Sequence, residues 1–502
     1  MKEKNKSKTE NEIKDKTFVR EVVPLDFAKI TELIIKDLNN NKSQTTRQFT
    51  KSNVSNYLSN PKRYSKELQS MSAYLYDVSP HYRRLVNYYA KMATLEHYVE
   101  IFGLDTSKNV NVNSLRKNYM RAVELVELMN IKHEYAKAMV SAWKLDTFYG
   151  YEFFTKDSYF IKELPYEFCQ ISGIADGVYT FSFDMAYFDR NADELPLYPK
   201  EFQKMYNAYK SGSKPRWQEV DPSRSICLKI NEEIYYDLPP FAGLFGDIFD
   251  IEDYKALRMA NAVIGNYKFI VQKIPLRQNS DKNNDFMIDL KTVQMFHNKT
   301  ANLLPDELGI FSTPFDIDTI EFSRDNSAND NVAQAEEAFY TASGTASQLF
   351  NAKGSSNAVL AKSINVDEAE IFKVLRQIER IVTGKIKNEI SGSFKFRLRI
   401  LDNTIFNKKD NVEQLLKNAQ YGLPVKIMLC ACLGISPSAV VSMNFLEEEV
   451  LGLSSSFTPL SSSHTQSGSA IDNEGGRPLK KDDELTEKGE EQREREDNAN
   501  RE

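Results

Sequence analysis

The sequence predicts an α+β fold that is predominantly helical, on three observations. Apolar residues recur at mostly three- and four-residue intervals through several long segments, the period of a helix buried on one face. One stretch, 149–190, breaks that period with alternating, Tyr- and Phe-rich segments of the kind that form strands. The whole is 41% hydrophobic with 25 Tyr and 30 Phe, enough apolar material to bury several cores, and its length points to two to four structural regions.

Residues 1–17 are rich in Lys, Asn and Glu and predict no packed structure. A short amphipathic helix is expected over 25–38, where Phe27, Ile30, Leu33 and Ile34 share a face. A helical block follows from about 50 to 148. It includes 80–99, with Tyr82, Leu85, Val86, Tyr89, Met92 and Leu95 in register, then 112–130, then 133–146. At Gly150 the composition changes to the aromatic segment, which predicts a small antiparallel sheet with breaks at Lys156-Asp157-Ser158, Gly173 and Asp176-Gly177. A helix over 199–211 and a strand over 225–230 complete this half.

The stretch 239–275, PPFAGLFGDIFDIEDYKALRMANAVIGNYKFIVQKIP, carries the most organisation. Two prolines stiffen its entry, and Gly243 and Gly246 permit a turn. One helix of about 20 residues, about 30 Å long, follows. Its acids Asp247, Asp250, Glu252 and Asp253 come early, and Lys255 and Arg258 come later, the order that complements a helix dipole. Gly265-Asn266 ends the helix, and a strand over 267–275 begins a small α/β unit. That unit has a helix over 286–301 and short strands near 309–312 and 319–322. A second helix, 331–343, returns. It opens into a loop of small and polar residues between Gly344 and Gly354, and a long helix over 357–390 follows. Leu360, Ile364, Ile371, Leu375, Ile378, Val382, Ile386 and Ile390 form that helix's apolar stripe. An alternating strand over 394–402 and helices near 409–419, 423–433 and 436–452 follow. Beyond Leu453 the chain turns Ser/Gly-rich and then charged, which predicts a disordered tail.

Charge constrains function. The net formal charge is −6, but residues 472–502 hold twelve acids and seven bases and account for −5 of it, leaving the body near neutral. A tight DNA-gripping domain carries a basic excess, so this balance favours loose contact with nucleic acid. No run of 18 apolar residues occurs, so no membrane span is expected. The first residues lack the apolar core of a secretory signal. Four scattered cysteines in apolar contexts fit a reducing, cytoplasmic folding environment.

Catalytic signatures do not emerge. Gly344 and Gly354 are too far apart for a phosphate-binding loop of the Walker type, and neither H-E-x-x-H nor G-x-S-x-G occurs. His81, His97, His133, His297 and His464 have no ligand spacing. Cys430 and Cys432 lie in the apolar run IMLCACLGI, which reads as a buried helix rather than a metal site. Asp247, Asp250 and Asp253 fall near one helix face at a spacing that could gather a divalent ion for phosphoryl transfer. Acids in the first turns of a helix are nonetheless what its dipole favours, and the structural reading is preferred. The same holds for Asp316, Asp318 and Asp325. Lys353, with Gln348, Asn351 and Ser355, reads either as an ordinary surface turn or as a loop that touches phosphates weakly. No catalytic, cofactor or metal residue is therefore predicted.

In its order of segments the chain resembles the portal proteins (head–tail connectors) of tailed bacteriophages, of the siphophage type, over roughly 50–455. LPYEFCQISGIADGVYTFSFDMAYFD (164–189) is similar to their wing. The 239–275 stretch is similar to the first stem helix entering the clip, and LLPDELGIFSTPFDIDTIEFSRD (303–325) to the clip's exit. GTASQLFNAKGSSNAVLAKSINVDEAEIF (344–372) is similar to the tunnel loop and the helix behind it, and NEGGRPLKKDDELTEKGE (473–490) to their C-terminal ends. The resemblance implies an N-terminal arm (1–49), a wing (50–238), a first stem helix (239–266), a clip (267–325), a second stem helix (326–343) and a tunnel loop (344–356). A long wing helix with its returning strand (357–405), crown helices (406–453) and a tail (454–502) complete the chain.

It further implies a ring, usually of twelve copies, at one capsid vertex of the virion, assembled in the host cytoplasm. Double-stranded viral DNA would pass through its channel, and the terminase large subunit, a head-completion adaptor and the major capsid and scaffolding proteins would be partners. In a ring, one basic residue per chain becomes a circle of contacts. Gln348, Asn351, Lys353, Ser355, Lys255 and Arg258 are the candidates for facing DNA, and Arg258 could equally pair with a neighbouring copy's acid. The competing readings are a metal-dependent nucleic-acid enzyme and a minor head or scaffold protein without a channel.

Overall fold

The computed structural model describes residues 49–453 except 108, 156–157, 265–267, 278–284, 303–307, 314–319, 322–326, 346–348, 350–356, 391 and 393. The helix expected over 25–38, the tail beyond 453 and Asp316, Asp318 and Asp325 lie outside these residues. The fold is mixed α/β and predominantly helical. Among the described residues no single helix is long and apolar enough to cross a membrane. The chain divides into two units, 1–441 and 442–502.

The first unit is built on helices α1 (Lys51–Ser59), α2 (Ser65–Val78), α3 (Pro80–Met92), α4 (Val112–Leu128) and α5 (Ile131–Leu145). Ser79 caps α3, its hydroxyl accepting from the Tyr82 amide, and Pro80 takes the first helical position, where a missing N–H costs nothing. The helix expected over 80–99 ends at Met92. Ala93 is extended, Leu95 has φ of 55°, and His97–Phe102 form strand β1. The helical period continues through Leu95, but pairing with β11 (Lys395–Ile400), almost 300 positions later, decides the backbone.

Strands β2 (Thr147–Phe154), β3 (Tyr159–Glu163), β4 (Cys169–Ala175), β5 (Val178–Asp184), β6 (Trp217–Glu219) and β7 (Ser225–Lys229) follow, and those of the aromatic stretch 149–190 do not form the one sheet expected. They divide into two antiparallel sheets, ordered β3-β2-β7 and β4-β5-β6. The short α6 (Tyr187–Arg190) and α7 (Lys200–Lys210) lie between β5 and β6. The division follows from β2's own alternation. Tyr149, Tyr151 and Phe153 face a second, aromatic core that includes Phe181, Phe183, Phe188 and Phe202, while Phe148 on the opposite face joins the main core. Both faces of the central sheet are thus buried, and β2 reads as a near-continuous apolar run.

Next come the elements of the second half: α8 (Phe245–Ile264), β8 (Lys268–Lys273), α9 (Leu290–Ala301), β9 (Leu308–Thr313), β10 (Ile320–Glu321) and α10 (Ser327–Ala342). Strands β8 and β9 are parallel with α9 as the crossover, and β10 adds antiparallel to β8, giving the order β10-β8-β9. Helices α8 and α10 pack against each other and bracket this unit in sequence.

The 33-residue α11 (Asn357–Glu389) then crosses the main core, burying Ile371, Leu375, Ile378, Val382 and Ile386 of the predicted stripe. Polar pins set its register. Tyr88 and Tyr89 donate to Asp367 at 2.9 and 3.0 Å, Gln377 exchanges two hydrogen bonds with the Lys229 backbone, and Glu379 accepts from the Ile400 amide at 2.7 Å. Gln377 thus mimics a strand neighbour for Lys229 at the open edge of β7.

Helices α12 (Lys408–Gln420), α13 (Lys426–Cys432) and α14 (Pro437–Phe445) follow. The helix around Cys430 and Cys432 was expected to be buried. Only Ala431 and Cys432 are, and Ile427, Leu433 and Ile435 are exposed, because a seven-residue helix presents too little surface to cover all sides of so apolar a run. The helix expected over 436–452 stops at Phe445. In the second unit it gives way to a π-helical turn, Leu446–Val450, that carries Glu447, Glu448 and Glu449.

Candidate functional site

The site begins where α8 leaves the body. Pro239 accepts from the Ala242 amide, a short 3-10 turn (Ala242–Leu244) follows, and α8 then buries Phe245, Ile248 and Ile251 in the main core. Beyond Ile251 three apolar side chains of the helix are exposed, Tyr254, Leu257 and Met259, the last by 74%. The return helix α10 re-enters the core through Phe339 and Tyr340. The predicted strut thus has a rooted half and a projecting half.

Its acids are placed by structural forces. Lys51 of α1 pairs with Asp250. Asp247 is half-buried, and burial, then the neighbouring Asp250, push its carboxyl above the usual range, with Lys51 opposing. Asp253 is exposed. Among the described residues no three His, Cys, Asp or Glu side chains gather as a metal site.

Of the six residues nominated to face DNA, Gln348, Asn351, Lys353 and Ser355 lie outside the described residues. Among their neighbours Leu349 is described, and its carbonyl accepts from Arg84 Nη2 of α3 at 3.4 Å. Lys255 is turned into a polar junction, with its ammonium 3.1 Å from His81 Nε2 and 3.4 Å from Glu252 Oε1. Arg258 is exposed on the projecting half of α8.

Two charged features were missed by sequence reasoning. One is a buried hub at the root of α8. Lys229 Nζ lies 2.5 Å from Asp146 Oδ2 and 3.9 Å from Asp237 Oδ1, and Lys229 and Asp146 are fully enclosed. Asp146 also accepts from the amides of Asn231 and Leu238, and Asp237 accepts from Thr147 and Tyr149. Burial pushes the Asp146 carboxyl up to about 6, with Lys229 and the two amides opposing. A lysine inside the apolar strand SICLK was the available signal, since such a residue is tolerated only when paired.

The other is a groove of about 930 Å³ between α11 and β11. Lys373, Arg376, Arg380 and Lys387 line one side at helical spacing, and Lys395, Arg397 and Arg399 line the other at strand spacing. Many of these cations are already matched: Arg397 and Arg399 by Glu100, Arg376 by Glu379 and Asp402, Lys387 by Asp176, and Lys373 by Glu370. The groove is therefore a lattice of mostly exposed pairs rather than an open basic track.

No protein-family model matches the chain. It is 21% identical over 445 residues to the SPbeta prophage-derived uncharacterized protein YonE of Bacillus subtilis, an alignment covering 85% of this chain and 86% of that protein. Among solved structures it is similar to a chain in the neck of an empty gene transfer agent particle computed with C6 symmetry. The TM-score is 0.42 and the identity 12%, over 70% of this chain and 94% of that one. It is also similar to a chain in the virion of a native gene transfer agent particle, with a TM-score of 0.37 and 11% identity over 72% and 94% of the two chains.

Proposed function

We propose that the chain is a structural component of a phage-like particle, and within that class a portal. Copies of it form a ring at one capsid vertex, α8 and α10 form the channel wall, and viral DNA passes through during packaging and ejection. The chain performs no catalysis in this reading. The chemistry of translocation belongs to a terminase large subunit docking on the small α/β unit. A head-completion adaptor later takes that place, and capsid and scaffolding proteins surround the ring.

The observation that carries the reading is the α8–α10 pair with its α/β unit, several of whose apolar residues are left exposed within one chain. Tyr254, Leu257, Met259, Met287, Met295 and Phe296 are all exposed, more than a free monomer ordinarily leaves on one protrusion. A neighbouring copy in a ring would cover them. Similarity to a prophage-derived protein over most of the chain supports the phage setting. The near-neutral body suits a conduit, because phosphate neutralisation is what makes DNA binding tight and a moving polyanion must not be trapped. Light scattering on the purified full chain is expected to give a particle of many subunits, near twelve copies of the 57.6 kDa chain. A particle that stays at the mass of one chain under assembly conditions contradicts the proposal.

A further inference from the structure

One imidazole of the body touches both helices of the pair that leaves and re-enters it. His81 occupies the first turn of α3, and its ring packs edge-on to Phe339 and Tyr340 of α10, with centroids 6.5 and 6.1 Å apart. Nε2 lies 3.1 Å from Lys255 Nζ on α8 and 3.4 Å from Glu336 Oε1 on α10, and Nδ1 lies 3.2 Å from the Tyr340 hydroxyl. The titratable and charged groups that face the ring are thus Lys255 and Glu252 from α8, Glu336 and Tyr340 from α10, and Arg84 from α3 itself. An ammonium can only donate. When Nε2 pairs with Lys255 it is the nitrogen without a proton and Nδ1–H faces the Tyr340 hydroxyl; when it pairs with Glu336 it carries a proton. One ring nitrogen therefore stands between a cation on the outgoing helix and a carboxylate on the returning one.

We propose that His81 is a proton-operated latch: neutral, it accepts from Lys255 and holds α8 to the body, and protonated, it releases Lys255 and bonds Glu336 of α10 instead. The step takes one proton from solvent onto Nε2. That nitrogen loses its lone-pair acceptor, the imidazolium repels the ammonium, and the new N–H points to a carboxylate already 3.4 Å away. Lys255 keeps Glu252, a partner on its own helix, so the exchange removes a tie between α8 and α3 while adding one between α10 and α3. The pair Lys51–Asp250 still holds the rooted half of α8, which confines the effect to the half that projects. The ring's side chain is 19% exposed, enough for a proton to reach it.

Burial first, and Lys255 second, hold the imidazole below its usual value of 6.5, with Glu336 and Glu252 opposing. A histidine depressed in this way favours the neutral form in the folded chain. The Lys255 tie is therefore complete above 6.5 and lost as the pH falls through the lower, folded value. The latch belongs to a single chain and stands or falls independently of ring formation.

Hydrogen exchange of the full chain between about pH 8 and about pH 5, corrected for the intrinsic pH dependence of exchange, tests it. In the wild type, protection over 252–264 is expected to fall with pH, by up to about tenfold for each unit by which the fold depresses His81, while α10 keeps its protection. His81→Gln retains an uncharged acceptor and cannot titrate, so its α8 is expected to stay protected across the range. Lys255→Met, which leaves His81 in place, is expected to show low α8 protection at every pH, and it decides the matter if His81→Gln fails to fold. Three results would overturn the latch: no change in wild-type α8, the same pH profile in the variants, or α8 and α10 losing protection together.

Discussion

Replacing Lys229 by methionine is expected to destabilise the body by about 3–5 kcal/mol, because it strands a buried carboxylate. Asp146 is fully enclosed, and the ammonium 2.5 Å away is its only cationic partner among the described residues. The pair is not a simple source of stability, since desolvating both charges offsets much of their attraction. Its asymmetry is what matters, because removing one member leaves the other without water or a counter-charge. The damage has a predicted address. Asp146 holds the amides of Asn231 and Leu238, and Leu238 immediately precedes the Pro239-Pro240 entry to α8. Thermal unfolding should report the loss, and hydrogen exchange should place it first over 231–251. The double variant K229M/D146N, which removes the stranded charge, is expected to recover part of the stability. A loss below about 1 kcal/mol for K229M would mean that the hub is not load-carrying in this way.

Phe183→Ala is expected to cost a further-reaching but differently placed 3–5 kcal/mol, about the range for emptying a buried aromatic site. Phe183 is fully buried and packs against Tyr187, Phe188 and Phe202 at centroid distances of 5.5–5.9 Å. These rings belong to the second core, which the sheet β3-β2-β7 separates from the main one. Exchange protection should therefore collapse over β4, β5, β6 and α7 while α2, α3 and α5 retain theirs. Equal loss in both regions would show that the two cores unfold as one.

Much of this organisation can be read from the residues, and the exceptions share a cause. The α8 helix, its return partner α10 and the stripe of α11 were legible because their signals are local: a Pro-Pro entry, early acids, and apolar residues at helical spacing. Strand β1 was not, because a helix-like period runs on to Leu95 and its competing partner is almost 300 positions away. The aromatic stretch announced strands but not their division between two sheets, which depends on which face of β2 each core covers. The His81 junction was invisible for the same reason. Histidine, lysine and glutamate on three separate helices have no spacing in sequence, and only the packing of α3, α8 and α10 brings them within 3.4 Å. Lys255 illustrates this most clearly. Its position in the helix was anticipated, and its partner was not.

The α8–α10 pair is proposed to line the channel of a closed ring. Cryo-electron microscopy of the assembled particle is expected to show a ring with an axial hole, the α8–α10 pairs of successive copies standing around it, and the exposed residues Tyr254, Leu257 and Met259 covered by neighbours. A population of single chains, or a ring whose hole is walled by other elements while this pair faces outward, would contradict it.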